Sequence, residues 1–96
     1  MKRSTFRIAA DHPCLPGHFP GDPIVPAVIV LERVIEAIAA DSGHRVVGIP
    51  RCKFTRPLRP DQWCTVEWTA QADAMRFTCS NAGGTVARGL LQVADG

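Results

Sequence analysis

The sequence lacks any apolar run long enough to cross a membrane as a helix. Its most apolar stretch, residues 28–31, is followed at once by Glu32 and Arg33, whereas a membrane-spanning helix needs ~18 or more apolar residues. Residues 1–5 are positively charged, but no apolar segment follows them because Arg7 and Asp11 intervene. No export signal is therefore expected, and we predict a cytoplasmic protein that does not enter the membrane.

The sequence also lacks a C-x-x-C pair or any other recognisable metal-ligand spacing. Its cysteines are Cys14, Cys52, Cys64 and Cys79. Three of them occupy apolar positions of apparent strands, which favours buried free thiols in a reducing compartment over a disulfide framework or a structural zinc site.

No internal repeat or linker divides the 96 residues, so we predict a single domain over residues 1–96. The composition, 46% hydrophobic and 21% charged, is that of a globular protein. A domain of this size buries only ~60–65% of the surface of its unfolded chain, and it therefore gains stability from dimerising.

A stiff loop precedes one long helix. Residues 15–26 contain four prolines and two glycines, which exclude a regular helix or a central strand. Residues 27–40 contain strong helix formers, and Ser42-Gly43 shortly after them is a stop signal. This pattern predicts a helix with Pro26 as its first residue. The backbone N–H groups of Ala27 and Val28 would then lack intrahelical acceptors and could hold a developing negative oxygen.

His18 in this loop and Glu32 on the helix are candidates for an acid/base pair. Glu32 lies ~7.5 Å along the helix axis from its start, at ~1.5 Å per residue. Cooperation within one protomer is therefore uncertain, whereas antiparallel pairing of two helices would bring the carboxylate of one chain towards the histidine of the other. The alternatives are a structural or surface role for His18 and a solvated helix face for Glu32.

After the helix the hydrophobic period changes from 3.6 to 2, which predicts antiparallel strands. The predicted strands cover residues 6–9, 51–55, 64–70, 75–80 and 85–93, with a hairpin at 81–84. Gly89 is predicted to mark a bulge or a close approach. The expected fold is α+β, a single sheet that packs on one helix.

The predicted helix has more apolar surface than one flat sheet face can cover. One stripe contains Val28, Leu31, Ile35 and Ile38, and the flanking apolar residues are Ile29, Val30, Val34 and Ala37. We therefore expect a sheet curled around the helix and a partner protomer that covers the remainder.

Two motifs resemble those of the hotdog-fold 3-hydroxyacyl-acyl carrier protein dehydratases. The first is Gly17-His18-Phe19-Pro20-Gly21-x-Pro23-x-x-Pro26-x-Val28 followed by Glu32, and the second is Lys53-Phe54-x-Arg56-Pro57-x-x-Pro60-Asp61-Gln62. The resemblance covers nearly the whole chain. The opening His12-Pro13-Cys14-Leu15 and the short length are similar to compact dehydratases of aryl polyene pathways.

The resemblance implies a hotdog fold, in which an antiparallel sheet wraps a long central helix, and a homodimer whose two sheets join. His18 would be the base that removes the α-proton of a 3-hydroxyacyl thioester, and Glu32 of the partner subunit the acid that protonates the leaving hydroxyl. Phe19 and Gly21, with Ala27 and Val28, would bind the substrate and its oxyanion. The resemblance implies no metal or organic cofactor. It implies an acyl carrier protein that delivers the substrate on its phosphopantetheine arm.

Ala27 and Asp61 depart from the family pattern, which has glycine after the helix-start proline and near Pro60. The methyl group of Ala27 could crowd the thioester, whereas Asp61 is interpreted as a turn variant. Two alternatives therefore stay open: a hotdog acyl thioesterase, and a non-catalytic subunit that dimerises with an active paralogue or binds the carrier.

A basic cluster follows the helix and contains Arg51, Lys53, Arg56 and Arg59. It could bind nucleic acid or an acidic carrier protein. It lacks interleaved exposed aromatic residues, which disfavours nucleic acid. Arg56 and Arg59 are therefore the predicted docking residues for the acyl carrier protein.

Overall fold

The computed structural model describes residues 1–9, 11 and 24–95. Its elements are β1 (Lys2–Arg7), α1 (Ala27–Ser42), β2 (His44–Phe54), β3 (Trp63–Gln71), β4 (Ala74–Asn81) and β5 (Gly84–Asp95). The predicted order, one strand, one helix and four more strands, is confirmed. The prediction for β2 was too short, because Gly48 and Pro50 obscure the alternation in its first half.

The five strands form one antiparallel sheet in the order β1-β3-β4-β5-β2. Helix α1 packs on one face of this sheet, as the hotdog fold requires. A row of facing residues crosses that inner face from Trp68 through Phe77 and Gly89 to Cys52. Strands β1 and β2 are the two edge strands of this sheet.

The buried stripe of α1 differs from the predicted one. Val30, Val34 and Ile38 are buried against the sheet, whereas Val28 is 59% exposed. The hydrophobic residues of this helix extend around most of its circumference, so their spacing does not select the side that faces the sheet.

Both ends of α1 have defined backbone conformations. Pro26 has a ψ of 142°, which places it just before the helix, so the prediction that it is the first helical residue was wrong by one position. At the other end Gly43 adopts a left-handed φ of 72°, and its N–H donates to the Ala39 carbonyl at 3.0 Å. The predicted glycine stop is therefore confirmed.

Gly89 marks a close approach of two strands. A Cβ at this position would lie 2.3 Å from the Arg51 carbonyl oxygen and 3.0 Å from the Phe77 ring. The register shifts occur elsewhere, around Gly48 in β2 and between Cys79 and Ser80 in β4. Of the two predictions for Gly89, the close approach is confirmed and the bulge is wrong.

Cys64 and Cys79 are buried free thiols, as predicted, and Cys52 is a half-buried one. Cys14 lies outside the described residues. Within residues 1–9, 11 and 24–95, no helix has the length and apolar character needed to span a membrane.

Candidate functional site

The start of α1 opens onto a cavity of about 430 Å³. Its walls are the residues that enter the helix and the loop that follows β2. The lining residues are Ile24, Val25, Pro26, Ala27, Phe54, Thr55, Arg56, Pro57 and Leu58. Most of these side chains are apolar, so the cavity can receive an apolar group beside the free end of a helix.

Backbone hydrogen bonds hold the two walls of this cavity together. The Val25 N–H donates to the Leu58 carbonyl at 2.8 Å, which ties the approach to α1 to the loop after β2. The Thr55 N–H donates to the Val86 carbonyl at 2.8 Å and anchors the same loop to β5. Both Val25 and Leu58 are buried, so the hydrogen bond between them lies within the core.

The first turn of α1 leaves two backbone donors unused. The N–H groups of Ile29 and Val30 donate to the Pro26 carbonyl at 3.0 and 3.4 Å. Those of Ala27 and Val28 have no acceptor within the described part of the chain, and no side chain caps the helix. Two free donors at a positive helix end can stabilise an anionic oxygen.

Glu32 lies one turn beyond this helix start and is exposed. It makes no hydrogen bond or ion pair with any described residue, whereas the nearby Glu36 accepts from Arg33 at 3.1 Å. Glu32 does not line the cavity of its own chain. His18, Phe19 and Gly21 lie outside the described residues, so their predicted roles stay predictions.

Arg56 is bound within the protein. Its guanidinium donates to the Asn81 side-chain oxygen and, at 3.4 Å, to the Gly84 carbonyl. Its Nε–H is buried and has no acceptor among the described residues. Arg59 is exposed. The structure thus places one predicted docking residue in an internal network and the other at the surface.

Phe54 is a residue of this site that the sequence analysis did not single out as functional. It pairs with Ala87 on the inner face of the sheet, lines the cavity and is 39% exposed. Its place in the Lys53-Phe54 block was the available signal. The prediction that the basic cluster has no interleaved exposed aromatic residue was wrong at this position. An exposed aromatic ring beside the free helix end supplies an apolar wall for a bound group.

The surroundings shift the pKa values of the three described thiols in different directions. The hydrogen bond with Cys79 lowers the pKa of Cys64, but Cys64 is buried and so is closed to a substrate. Cys79 shares a thiol hydrogen bond with Cys64, and this bond together with burial raises the pKa of Cys79. Burial also raises the pKa of Cys52. No group of three His, Cys, Asp or Glu side chains within the described ranges is placed to hold a metal ion.

Comparisons with known sequences identify the group to which this chain belongs. The sequence model of the ApeI-like family, described as ApeI dehydratase, matches residues 2–90. The 3-hydroxyacyl-[acyl-carrier-protein] dehydratase FabZ of Haemophilus influenzae is 38% identical over 63 residues, which are 55% of this chain and 43% of that protein. FabZ of Chloroflexus aggregans is 37% identical over 78 residues, 72% of this chain and 53% of that protein. The chain thus spans about half the length of these curated relatives.

Solved structures support the fold. The dehydratase heterocomplex ApeI:P from Xenorhabdus doucetiae contains a chain with a TM-score of 0.78 and 20% identity, covering 96% of this chain and 85% of that one. An uncharacterised protein from Erwinia carotovora subsp. atroseptica has a TM-score of 0.78 and 23% identity, covering 97% of this chain and 82% of that one. At these identities the likeness shows the hotdog fold alone. The match of the family model over residues 2–90 shows that the chain belongs to the ApeI-like dehydratase family.

Proposed function

We propose that this protein removes water from 3-hydroxyacyl thioesters carried on acyl carrier protein and forms trans-2-enoyl thioesters, in fatty acid or aryl polyene-type biosynthesis. The observation that carries this proposal is a helix start with free N–H groups on Ala27 and Val28, at which Ala27 lines a mostly apolar cavity of about 430 Å³. Phe54 would pack against the acyl group. The two free N–H groups would donate hydrogen bonds to the thioester oxygen as its negative charge develops.

The proposed reaction breaks one C–H and one C–O bond of the substrate, and it forms a C=C bond and one O–H bond of the released water. His18 takes the proton from the α-carbon, and the electron pair of that C–H bond forms the new C=C bond. The C–O bond at the β-carbon breaks, and Glu32 of the partner subunit supplies the proton with which the hydroxyl leaves as water. The reverse hydration uses the same groups, and neither direction requires a metal or an organic cofactor.

A homodimer is part of this proposal because Glu32 does not line the cavity of its own chain. Strand β2 is a sheet edge and carries exposed Val47 and Ile49, and Val28 is exposed on the helix. A second copy that extends the sheet at β2 would cover apolar surface and pair the free edge.

The test is incubation of the purified protein with 3-hydroxyacyl-carrier protein thioesters of several acyl lengths, followed by mass spectrometry. Loss of water by the wild type but not by a folded His18→Ala variant is the expected result. Absence of water loss at every acyl length, in a folded dimer, would contradict the proposal. Release of a free carrier thiol would instead indicate a thioesterase.

A second candidate function is that of a non-catalytic subunit. Two observations favour it: Ala27 places a methyl group at the helix start, and a structural neighbour comes from a dehydratase heterocomplex. Water loss that occurs only after mixing with a second dehydratase subunit, and that survives His18→Ala in this chain, would support this candidate.

A further inference from the structure

A second cavity lies on the outer face of the sheet, on the side opposite α1. Its volume is about 490 Å³, and it spans β2, β5 and β4. The lining residues are Arg51, Lys53, Arg76, Phe77, Thr78, Arg88, Gly89 and Leu90. The four basic side chains are exposed and alternate along their strands with the inward-facing Cys52, Phe77 and Gly89.

The charged residues among the described lining of this outer-face cavity are all basic. Lys53 lies directly opposite Arg88 on adjacent strands, and Arg51 and Arg76 lie on either side of Leu90. Like charges in facing positions destabilise a sheet. A bound anion would relieve the repulsion among the four cations around this cavity.

The described residues do not supply that anion. Arg51, Lys53 and Arg88 make no ion pair or side-chain hydrogen bond within the described part of the chain, and Arg76 donates only to the neutral Gln71 oxygen at 3.1 Å. Glu67, which faces Thr78 on the same side of the sheet, is already paired with Arg3 at 2.9 Å.

We propose that the outer-face cavity binds a small phosphorylated ligand that carries a diphosphate or an equivalent cluster of phosphate oxygens. Guanidinium groups match phosphate oxygens with paired N–H donors, and Lys53 adds a point charge. The hydroxyl of Thr78 is a further donor at the cavity wall. The volume is in the range of small-molecule sites, ~300–1,000 Å³.

The lining disfavours macromolecular partners. Among the described lining residues Phe77 is the one aromatic side chain, and at 1% exposure it cannot stack on a base, so these residues give single-stranded nucleic acid no stacking platform. Leu90 is half-buried and is the other large apolar residue of the described lining, which is too little for the apolar centre of a protein interface. The cavity also lies on the other face of the sheet from the helix start, so this inference stands independently of the proposed dehydration.

Calorimetric titration of the whole protein with inorganic diphosphate tests the inference. The double variant Lys53→Gln/Arg88→Gln is compared with Lys2→Gln/Arg45→Gln, which removes the same two charge types at exposed positions outside the cavity. Loss of two charge-assisted contacts is expected to weaken binding by at least ~10-fold in the first variant, and the second should stay within ~2-fold of wild type. Circular dichroism confirms that both variants are folded.

Equal weakening in both variants would overturn the inference, since it would show attraction to net charge alone, and absence of wild-type binding would overturn it as well.

Titration with adenosine diphosphate distinguishes the ligand sources. Equal affinities support recognition of the phosphates themselves, and tighter binding of the nucleotide supports a nucleotide ligand. Displacement of diphosphate by a single-stranded oligonucleotide at equal phosphate concentration would overturn the inference in favour of nucleic acid. His18→Ala should leave diphosphate binding unchanged.

Discussion

The Arg56 guanidinium donates a hydrogen bond to the Asn81 side-chain oxygen and so joins the loop after β2 to the end of β4. The same Asn81 oxygen accepts the Gly83 N–H at 2.9 Å, and its amide donates to Gln62 at 3.3 Å. This loop also presents the Leu58 carbonyl to Val25, just before α1. The position of the helix start therefore depends on a network centred on Arg56 and Asn81.

Replacement of Arg56 by glutamine should destabilise the protein. The variant loses charge-assisted hydrogen bonds to Asn81 and Gly84, and we expect the free energy of unfolding to fall by about 2 kcal/mol. Urea denaturation measures this change. Arg45→Gln, at an exposed position of β2, is the control and should shift the free energy by less than about 0.5 kcal/mol. Equal shifts would show that the network contributes no stability.

Carrier docking is better tested at Arg59 than at Arg56, because Arg59 is exposed and Arg56 holds the fold. Arg59→Glu should weaken binding of an acidic carrier protein by about 10-fold through charge reversal, measured on variant protein that circular dichroism shows to be folded. Surface plasmon resonance with immobilised carrier measures the affinity. Unchanged affinity would remove Arg59 from the docking surface.

Gly89→Ala should be strongly destabilising. Its new Cβ would lie 2.3 Å from the Arg51 carbonyl oxygen, so β2 and β5 would have to separate, at a cost of about 2–4 kcal/mol. Gly48→Ala is the matched control, since its nearest neighbour at 3.3 Å is the terminal oxygen of the flexible Gln92 side chain. Thermal unfolding should separate the two variants clearly, and similar midpoints would argue against the close approach at Gly89.

Glu32→Gln should abolish the proposed dehydration with little effect on stability. Glu32 is exposed and unpaired among the described residues, so the amide replaces it without loss of a contact within the chain. We expect a fall in kcat of at least ~100-fold, the usual contribution of a general acid. Glu36→Gln, one helical turn further on, is the control and should keep its activity. Full activity of Glu32→Gln would exclude the carboxyl group as the acid.

Stability should decrease at alkaline pH because the Cys64 hydrogen bond and burial raise the pKa of Cys79. An unfolded thiol ionises near pH ~8.5, whereas the folded Cys79 keeps its proton. Cys64, whose pKa the same hydrogen bond lowers, is ionised in both states above that pH, so Cys79 decides the sign there. The folded state then binds more protons than the unfolded state, and stability falls above that pH by up to ~1.4 kcal/mol per pH unit. Urea denaturation between pH 7 and 10 measures the slope, which should be shallower in the double variant Cys64→Ala/Cys79→Ala, because in Cys79→Ala alone burial would raise the pKa of Cys64 instead. Identical slopes would contradict this assignment.

The order and type of the elements could be predicted because they follow from local periodicity and from residues with restricted backbones. Alternation around Val66 and Phe77 indicates strands, and Gly43 indicates the end of α1, without information on contacts between distant segments. The motif containing Glu32 and the loop before α1 likewise placed the candidate site at the helix start.

Other features depended on tertiary contacts between distant segments. In the sequence Arg56 is one of several cations in a basic cluster. It becomes an internal hydrogen-bond donor only because the β4–β5 hairpin lies close to it in the fold. Arg76 and Arg88 are far from Lys53 in the chain, so no local pattern joins them into one cavity. Local propensity and side-chain period determine which segments become strands or helices, whereas strand register and the side of the helix that is buried depend on packing free energy summed over the whole fold.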